Sequence, residues 1–358
     1  MTRLAALLLF LPVFALSQAV HAAPSSQQGV HEKRLDDFLN DVEANDGGVG
    51  SVSIFKGGRE VYARSFGQKN LPDVAHDEYS KYQIASVTKM VTAILTFKLV
   101  EAGRLSLDDK LSDFFPDMPS AQKITIRHLL EHTSGLKNFA IKDGSVWVVD
   151  EVSQGDILDE IKSQGVAFEP GERVAYSNSA YFLLRMILEK KYGREYHQIV
   201  AQEIAEPLGL QNFASTKSHP SNTFKSYTFA GHWVEIKDIN YSNVIGVGDI
   251  ASTTRDLNTL IVSLFQHKIL NKATLEQMKP IPGHDGWGRG LAEFPYGENR
   301  FLGHGGDVLG SHSRVIYNPK DGVAIAYSTN GERIPTNAFL ETVVGIVYGG
   351  DFTLPQIK

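Results

Sequence analysis

The sequence predicts an α+β fold: an antiparallel sheet flanked by N- and C-terminal helices, plus an all-helical domain inserted between the two halves of the sheet. Three observations predict it. Strand-like segments cluster at both ends of the 358-residue chain. Helical periodicity fills the middle, over about residues 86–284. Short turns join neighbouring strands, which antiparallel pairs allow and parallel pairs do not.

Taken in order, His31 to Glu43 places Leu35, Phe38, Leu39 and Val42 on one helical face. Val49 to Phe55 and Glu60 to Phe66 read as strands around the turn Lys56-Gly57-Gly58. Ser86 to Gly103 carries apolar residues at Val87, Met90, Val91, Ile94, Leu95 and Leu99, a helical spacing. Helices are also expected over Ile124 to His132, Gly155 to Gln164, Ala180 to Tyr192 and Thr253 to His267. Strands resume at Phe301-Leu302, Ser313 to Tyr317 and Val323 to Ser328, the last two joined by the turn Asn318 to Gly322. A closing helix spans about Pro335 to Tyr348, with 349–358 as a tail. The α/β part thus comprises about 31–85 and 285–348 of a single domain over 23–348.

The first 22 residues read as an export signal. Arg3 supplies the basic end, Leu4 to Leu16 the apolar run, and Val20-His21-Ala22 a small-residue cleavage site. The expected location is therefore periplasmic or secreted, with no stable membrane anchor. There is no cysteine, which excludes disulfides and thiol catalysis. The formal charge of −6 gives no basic footprint for nucleic acid.

Ser86-Val87-Thr88-Lys89 is the strongest chemical signal. Residues three apart at a helix start share a face. A serine there has its N–H at the positive end of the helix dipole, where an oxyanion can be held. A lysine whose pKa is lowered by burial can take the hydroxyl proton. The same spacing recurs at Ser53–Lys56 and Ser120–Lys123, but the first lies on a strand and the second in a turn. Tyr176-Ser177-Asn178 precedes a helix; a phenol there can relay a proton to a leaving group, and an amide can orient an acyl substrate and the lysine together. Gly303-His304-Gly305-Gly306-Asp307 lies at the end of a short strand. Its glycines permit close approach, its Asp307 N–H is a candidate second oxyanion donor, and His304 is a candidate donor or proton relay.

In chain order, Ser86-x-x-Lys89, Tyr176-x-Asn178 and His304-x-Gly306 resemble the three motifs of the serine β-lactamase and penicillin-binding protein superfamily. The branch resembled is that of class C β-lactamases, DD-carboxypeptidases, D-aminopeptidases and esterases. The strings Ile124 to Leu136 and Gly248 to Leu257 are similar to that branch as well. The resemblance implies Ser86 as nucleophile, Lys89 as its base and Tyr176 as the group serving the leaving atom. It implies Asn178, His304, Gly306 and Asp307 as substrate-binding positions.

His304 stands where many relatives have lysine. Gly305 and Asp307 occupy positions that often carry hydroxyls in carboxylate-recognising relatives, so Asp307 is expected to repel a substrate carboxylate unless Arg289, Arg300 or Arg314 compensates. Ala180 replaces a glycine common after the second motif.

The expected function is an exported serine acyl hydrolase closest to a D-alanyl-D-alanine carboxypeptidase. A β-lactamase, a carboxylic-ester hydrolase or a non-catalytic peptidoglycan- or protein-binding scaffold are the alternatives. The expected partner is a small-molecule or peptide acyl donor, the peptidoglycan stem peptide included. No cofactor and no metal are expected: His128 and His132 lie four apart, but Glu131 is misplaced for a metalloprotease motif, so both read as structural.

Overall fold

The computed structural model describes residues 30–71, 77 and 79–358, so the expected export signal lies outside the described residues. Helix α1 (Glu32–Ala44) buries Leu35, Phe38, Leu39 and Val42, the face its periodicity predicts. Strands β1 (Gly48–Lys56) and β2 (Arg59–Phe66) follow as a hairpin.

The inserted part then begins with a 3₁₀ turn, Ala85–Val87, running into α2 (Thr88–Glu101). From Thr88 to Phe97 every side chain of α2 is buried, so this helix is enclosed on all sides. Around it lie α3 (Ile126–Leu130), α4 (Gln154–Gln164), α5 (Asn178–Tyr192) and α6 (Thr254–Phe265). The part is not purely helical. Tyr82–Gln83, Ile250–Ser252 and Phe213–Ser215 form a small sheet, and Ile141–Lys142 with Ser145–Val146 and Tyr227–Phe229 with Trp233–Glu235 form hairpins. Pairings of two or three residues are too short to leave an alternating pattern.

The chain returns to the main sheet with β3 (Ala292–Tyr296), β4 (Asn299–Asp307), β5 (His312–Tyr317) and β6 (Ala324–Glu332), and ends in α7 (Thr336–Val347). The sheet order is β3-β4-β5-β6-β1-β2, antiparallel throughout. The join between the two chain ends is the β1/β6 pair, with Val52 opposite Tyr327 and Ile54 opposite Ile325.

Strand alternation divides the core in two. Ile316, Ile325 and Tyr327 face α1 and α7, packing with Phe38, Phe66, Phe339 and Leu340. Val315, Ala324 and Ala326 face the inserted part and join the core around α2 and α5. The small alanines on that face let helices approach the sheet closely, which brings the start of α2 against β4. In the tail, Phe352, Leu354 and Ile357 pack onto the first of these cores.

Candidate active site

The 3₁₀ turn carries Ser86 at the junction of sheet and inserted part. Ala85 adopts φ +47°, a left-handed conformation that costs a non-glycine residue about 1–2 kcal/mol. Gly306 on β4 explains how the turn is held. A Cβ on Gly306 would stand 2.1 Å from the Ile84 carbonyl oxygen and 2.7 Å from the Ser86 nitrogen, so only glycine lets the strand press on this turn.

Lys89, one turn into α2, is fully buried. Its Nζ lies 2.9 Å from Ser86 Oγ and donates to the Val247 carbonyl at 2.9 Å. Desolvation holds the amine well below the ordinary lysine range, so it is available as a neutral base. Tyr176 donates to the same Oγ from the other side at 2.6 Å. Its ring reaches solvent, 37% exposed, while its hydroxyl end is enclosed. Burial, with the Asp307 charge adding, raises the phenol above its usual value and keeps it protonated. Ser86 Oγ therefore accepts from the phenol and is placed to donate to the amine.

Tyr176 is fixed by aromatic neighbours. Its ring centroid lies 4.5 Å from that of His132 and 5.6 Å from that of Trp287. His132 is buried and accepts the Ser177 N–H at Nδ1, 3.2 Å away, so it holds the Tyr-Ser-Asn turn in place. Burial, then the neighbouring Lys89 and His304, keep it neutral. His128 closes a capping box with Thr125 at the start of α3. Both histidines act within the scaffold, as their sequence context suggests.

The Val247 carbonyl is presented by a braced loop. Asp249, fully buried, accepts the Gly246 N–H at 2.7 Å and the Ser215 hydroxyl. The Gly246 carbonyl accepts from Thr92 on α2 at 2.6 Å. Gly246 has φ +73°, and a Cβ there would lie 2.4 Å from the buried Arg185 chain, so the position requires glycine. Burial pushes the Asp249 carboxyl up to about 6.

The third motif ends its strand as expected, but the strand is nine residues long, Asn299–Asp307, and not the short Phe301-Leu302 segment. Val308 N–H donates to the Ser311 carbonyl at 2.9 Å, closing a two-residue turn at Leu309-Gly310. Counting back along the β4/β5 register, antiparallel alternation turns the Gly305 and Asp307 peptide groups away from β5 and toward the cleft.

His304 is buried, and its Nδ1 lies 2.7 Å from the Gly305 carbonyl. Burial and the nearby Lys89 push its pKa down to about 3. It is neutral, its Nδ1–H is spent on the backbone, and Nε2 remains as an acceptor. Of the donor and proton-relay roles expected of His304, this tautomer does not supply the donor. Asn178 begins α5 and lines the cavity beside Ser86; Lys89 is oriented by the Val247 carbonyl, not by this amide.

Asp307 is neutralised locally. Its carboxylate bonds Arg314 at 3.0 and 3.1 Å and His312 at 2.8 Å. Against the upward push of burial, these partners hold it below its ordinary value. Arg314 is the compensating cation; Arg289 is committed to Glu131 at 2.7 Å, and Arg300 faces Glu293 at 4.0 Å.

Two cavities meet at Ser86. One, of about 320 Å³, is walled by Ala140, Val148, Ile239 and Val244, with Asn138 and Asn178 at its edge. The other, of about 460 Å³, holds Tyr176, Trp287, His304, Arg314, Asp285 and Glu293; Asp307 borders both. Val247 and Trp287 are site residues that sequence reasoning did not single out, and Asp249 enters it only as part of a string, with no role. The Gly248 to Leu257 string begins within the braced loop and is the nearest signal.

A hydroxyl held between a buried amine and a phenol, at the seam of an antiparallel sheet and a helical part, defines the class of serine acyl hydrolases. Within that class the chain belongs to the Beta-lactamase family, whose model matches residues 39–345. It is 28% identical over 335 residues to Penicillin-binding protein 4* of Bacillus subtilis (strain 168), covering 86% of this chain and 74% of the relative. It is 23% identical over 328 residues to the teichoic acid D-alanine hydrolase of Staphylococcus aureus (strain NCTC 8325 / PS 47), covering 86% and 78%. Among solved structures it resembles D-amino acid amidase from Ochrobactrum anthropi SV3, with TM-score 0.75 and 26% identity over 88% of this chain and 97% of that one.

Proposed function

We propose that this chain is an exported serine hydrolase that acylates itself on Ser86 and acts on esters or amides whose leaving group carries no carboxylate. The observation that carries the reading is the placement of Ser86 Oγ between fully buried Lys89 Nζ and the Tyr176 hydroxyl. Lys89 takes the Ser86 proton as Oγ adds to the acyl carbonyl. The Ser86 and Asp307 N–H groups receive the oxyanion. The leaving atom takes a proton from Tyr176, which recovers it from the Lys89 ammonium. Water then releases the acyl group by the reverse path, returning the proton to Ser86. Export rests on the basic, apolar and small-residue pattern of the first 22 residues.

The leaving group lies on the Tyr176 side, because its proton comes from there. That cavity holds two further carboxylates, Asp285 and Glu293, beside the Arg314-bound Asp307 and a neutral His304. Arg314 is already occupied by Asp307 and by the Gly306 and Ser313 carbonyls. A departing D-alanine would bring its carboxylate into this field, so an ester or amide fits better than the D-alanyl-D-alanine carboxypeptidase expected from sequence. The names of the relatives, a teichoic acid D-alanine hydrolase and a D-amino acid amidase, support hydrolysis of a D-aminoacyl bond with a leaving group other than an amino acid.

The test is fluorophosphonate labelling of wild type and Ser86→Ala, read by intact mass, beside turnover of p-nitrophenyl esters, D-aminoacyl amides and a D-Ala-D-Ala peptide. Labelling confined to wild type, with the peptide at least tenfold slower than the best ester or amide, is expected. Equal labelling of both proteins removes the reading.

A further inference from the structure

We infer that the acyl part of the substrate presents an apolar chain or ring and carries no anionic group, lodged in the cavity beside Ser86 that Tyr176 does not line. The inference rests on the acyl-enzyme reading above. If the leaving group departs past Tyr176, the acyl substituent must lie on the opposite side of Ser86, over Ala140, Val148, Ile239 and Val244. The one ionised side chain lining that cavity, Asp307, is already bound by Arg314 and His312. An anionic acyl substituent would lose its hydration there and find no cationic side chain among the lining residues. An apolar one loses nothing on entry and removes hydrocarbon from water.

The rim gives a second, independent indication. Ile141 and Val146 on the hairpin before α4 are 41% and 44% exposed, and Leu309 at the β4/β5 turn is 39% exposed. These are three of the seven large hydrophobic side chains left exposed among the described residues, and all three line this cavity. Scattered exposed hydrophobics need no explanation; three converging on the mouth of one cavity next to a nucleophile form a contact surface. A long acyl chain entering by this rim would meet side chains of both the hairpin and the Leu309-Gly310 turn. Asn138 and Asn178 line the same cavity and add amides without adding charge.

The experiment keeps the leaving group fixed and varies the acyl group. Acylation of Ser86 by p-nitrophenyl acetate, butyrate and hexanoate, and by mono-p-nitrophenyl succinate, is followed by p-nitrophenol release and intact mass. Each buried methylene is expected to raise the second-order acylation rate by up to about fourfold, the factor for about 0.8 kcal/mol. The succinate is expected at least tenfold below butyrate. In Val146→Asp, on an exposed hairpin, the hexanoate-to-acetate ratio should fall at least threefold. Acylation on Ser86 with no dependence on chain length, or with succinate preferred, overturns the apolar acyl site while leaving the serine mechanism standing. Absence of any adduct on Ser86 overturns both.

Discussion

Gly306 presses its backbone so closely against Ser86 that a Cβ on the glycine would stand 2.7 Å from the serine nitrogen. The strand and the nucleophile turn are therefore one rigid unit. Gly306→Ala must push the turn or the strand aside, since the obstructing atoms are backbone. Misplacing reacting groups by about an ångström can cost about 10²-fold. The expected result is a kcat/KM lowered by about that factor, with the protein still folded at a reduced Tm. Activity within threefold of wild type would show that the contact is dispensable.

Lys89 sets the acid side of the rate profile. Its amine is kept neutral by burial, so kcat/KM should show no acid limb near 10.5 and should fall only where the buried amine takes up a proton, well below that value. His304 does not contribute above about pH 4, because its own protonation is pushed down to about 3. A full pH–rate profile of wild type and His304→Asn checks this: both should share the same acid limb. A limb centred near 10.5 would mean that Lys89 is charged at neutral pH.

Folding stability should fall on acidification. His304 and His132 are bases with depressed folded pKa values, so the stability they contribute is complete above about pH 6.5 and is lost as pH drops toward their folded values. Asp249 acts in the opposite sense. Its carboxyl is raised to about 6, so the fold gains stability as pH falls from about 6 toward 3.8. Down to pH 4.5 the His304 shift costs at most roughly 3 kcal/mol against roughly 2 gained from Asp249, and His132 adds to the former. Tm is expected to decrease from pH 7 to pH 4.5, and calorimetry across that range decides it. A Tm that rises over this interval contradicts the assignment.

The brace behind Val247 can be tested separately. Asp249→Asn keeps an acceptor for the Gly246 N–H, whereas Asp249→Ala removes it along with the Ser215 contact. Asn should retain kcat/KM within about fivefold and lose the stability term that opposes the histidines. Ala should lose at least about fiftyfold and shift the acid limb, because the carbonyl that orients Lys89 is no longer held. Equal activity of the two variants would mean the loop holds itself.

Much of this was legible in the residues. The apolar face of α1, the turn at Lys56-Gly57-Gly58 and the enclosed helix after Ser86 all follow from periodicity and turn chemistry. So does the grouping of Ser86 with Lys89, because one helical turn fixes their separation. What was hidden had physical reasons. Gly303 to Asp307 reads as the frayed end of a strand because glycine is a poor strand former, yet pairing with His312 and Ser313 and contact with the Ser86 turn select it there. The Val247 carbonyl is a backbone atom and leaves no side-chain signature. Which arginine answers Asp307 depends on the β4/β5 register, which places Arg314 two residues beyond His312 on the facing strand.

The pairing of β1 with β6 has a consequence for how the molecule comes into being. Strands near residue 50 find their partner near residue 328, so the central seam of the sheet is a contact between distant parts of the chain. Local hairpins can form early, but this seam must wait for both ends to be present and must absorb the entropy of closing a very long loop. Assembly should accordingly be slow and late, with the nucleophile turn acquiring its final geometry only when the last strand docks. A chain shortened before Ala324 would lack the strand that joins the halves, and would be expected to accumulate as a loosely collapsed species rather than as a smaller enzyme.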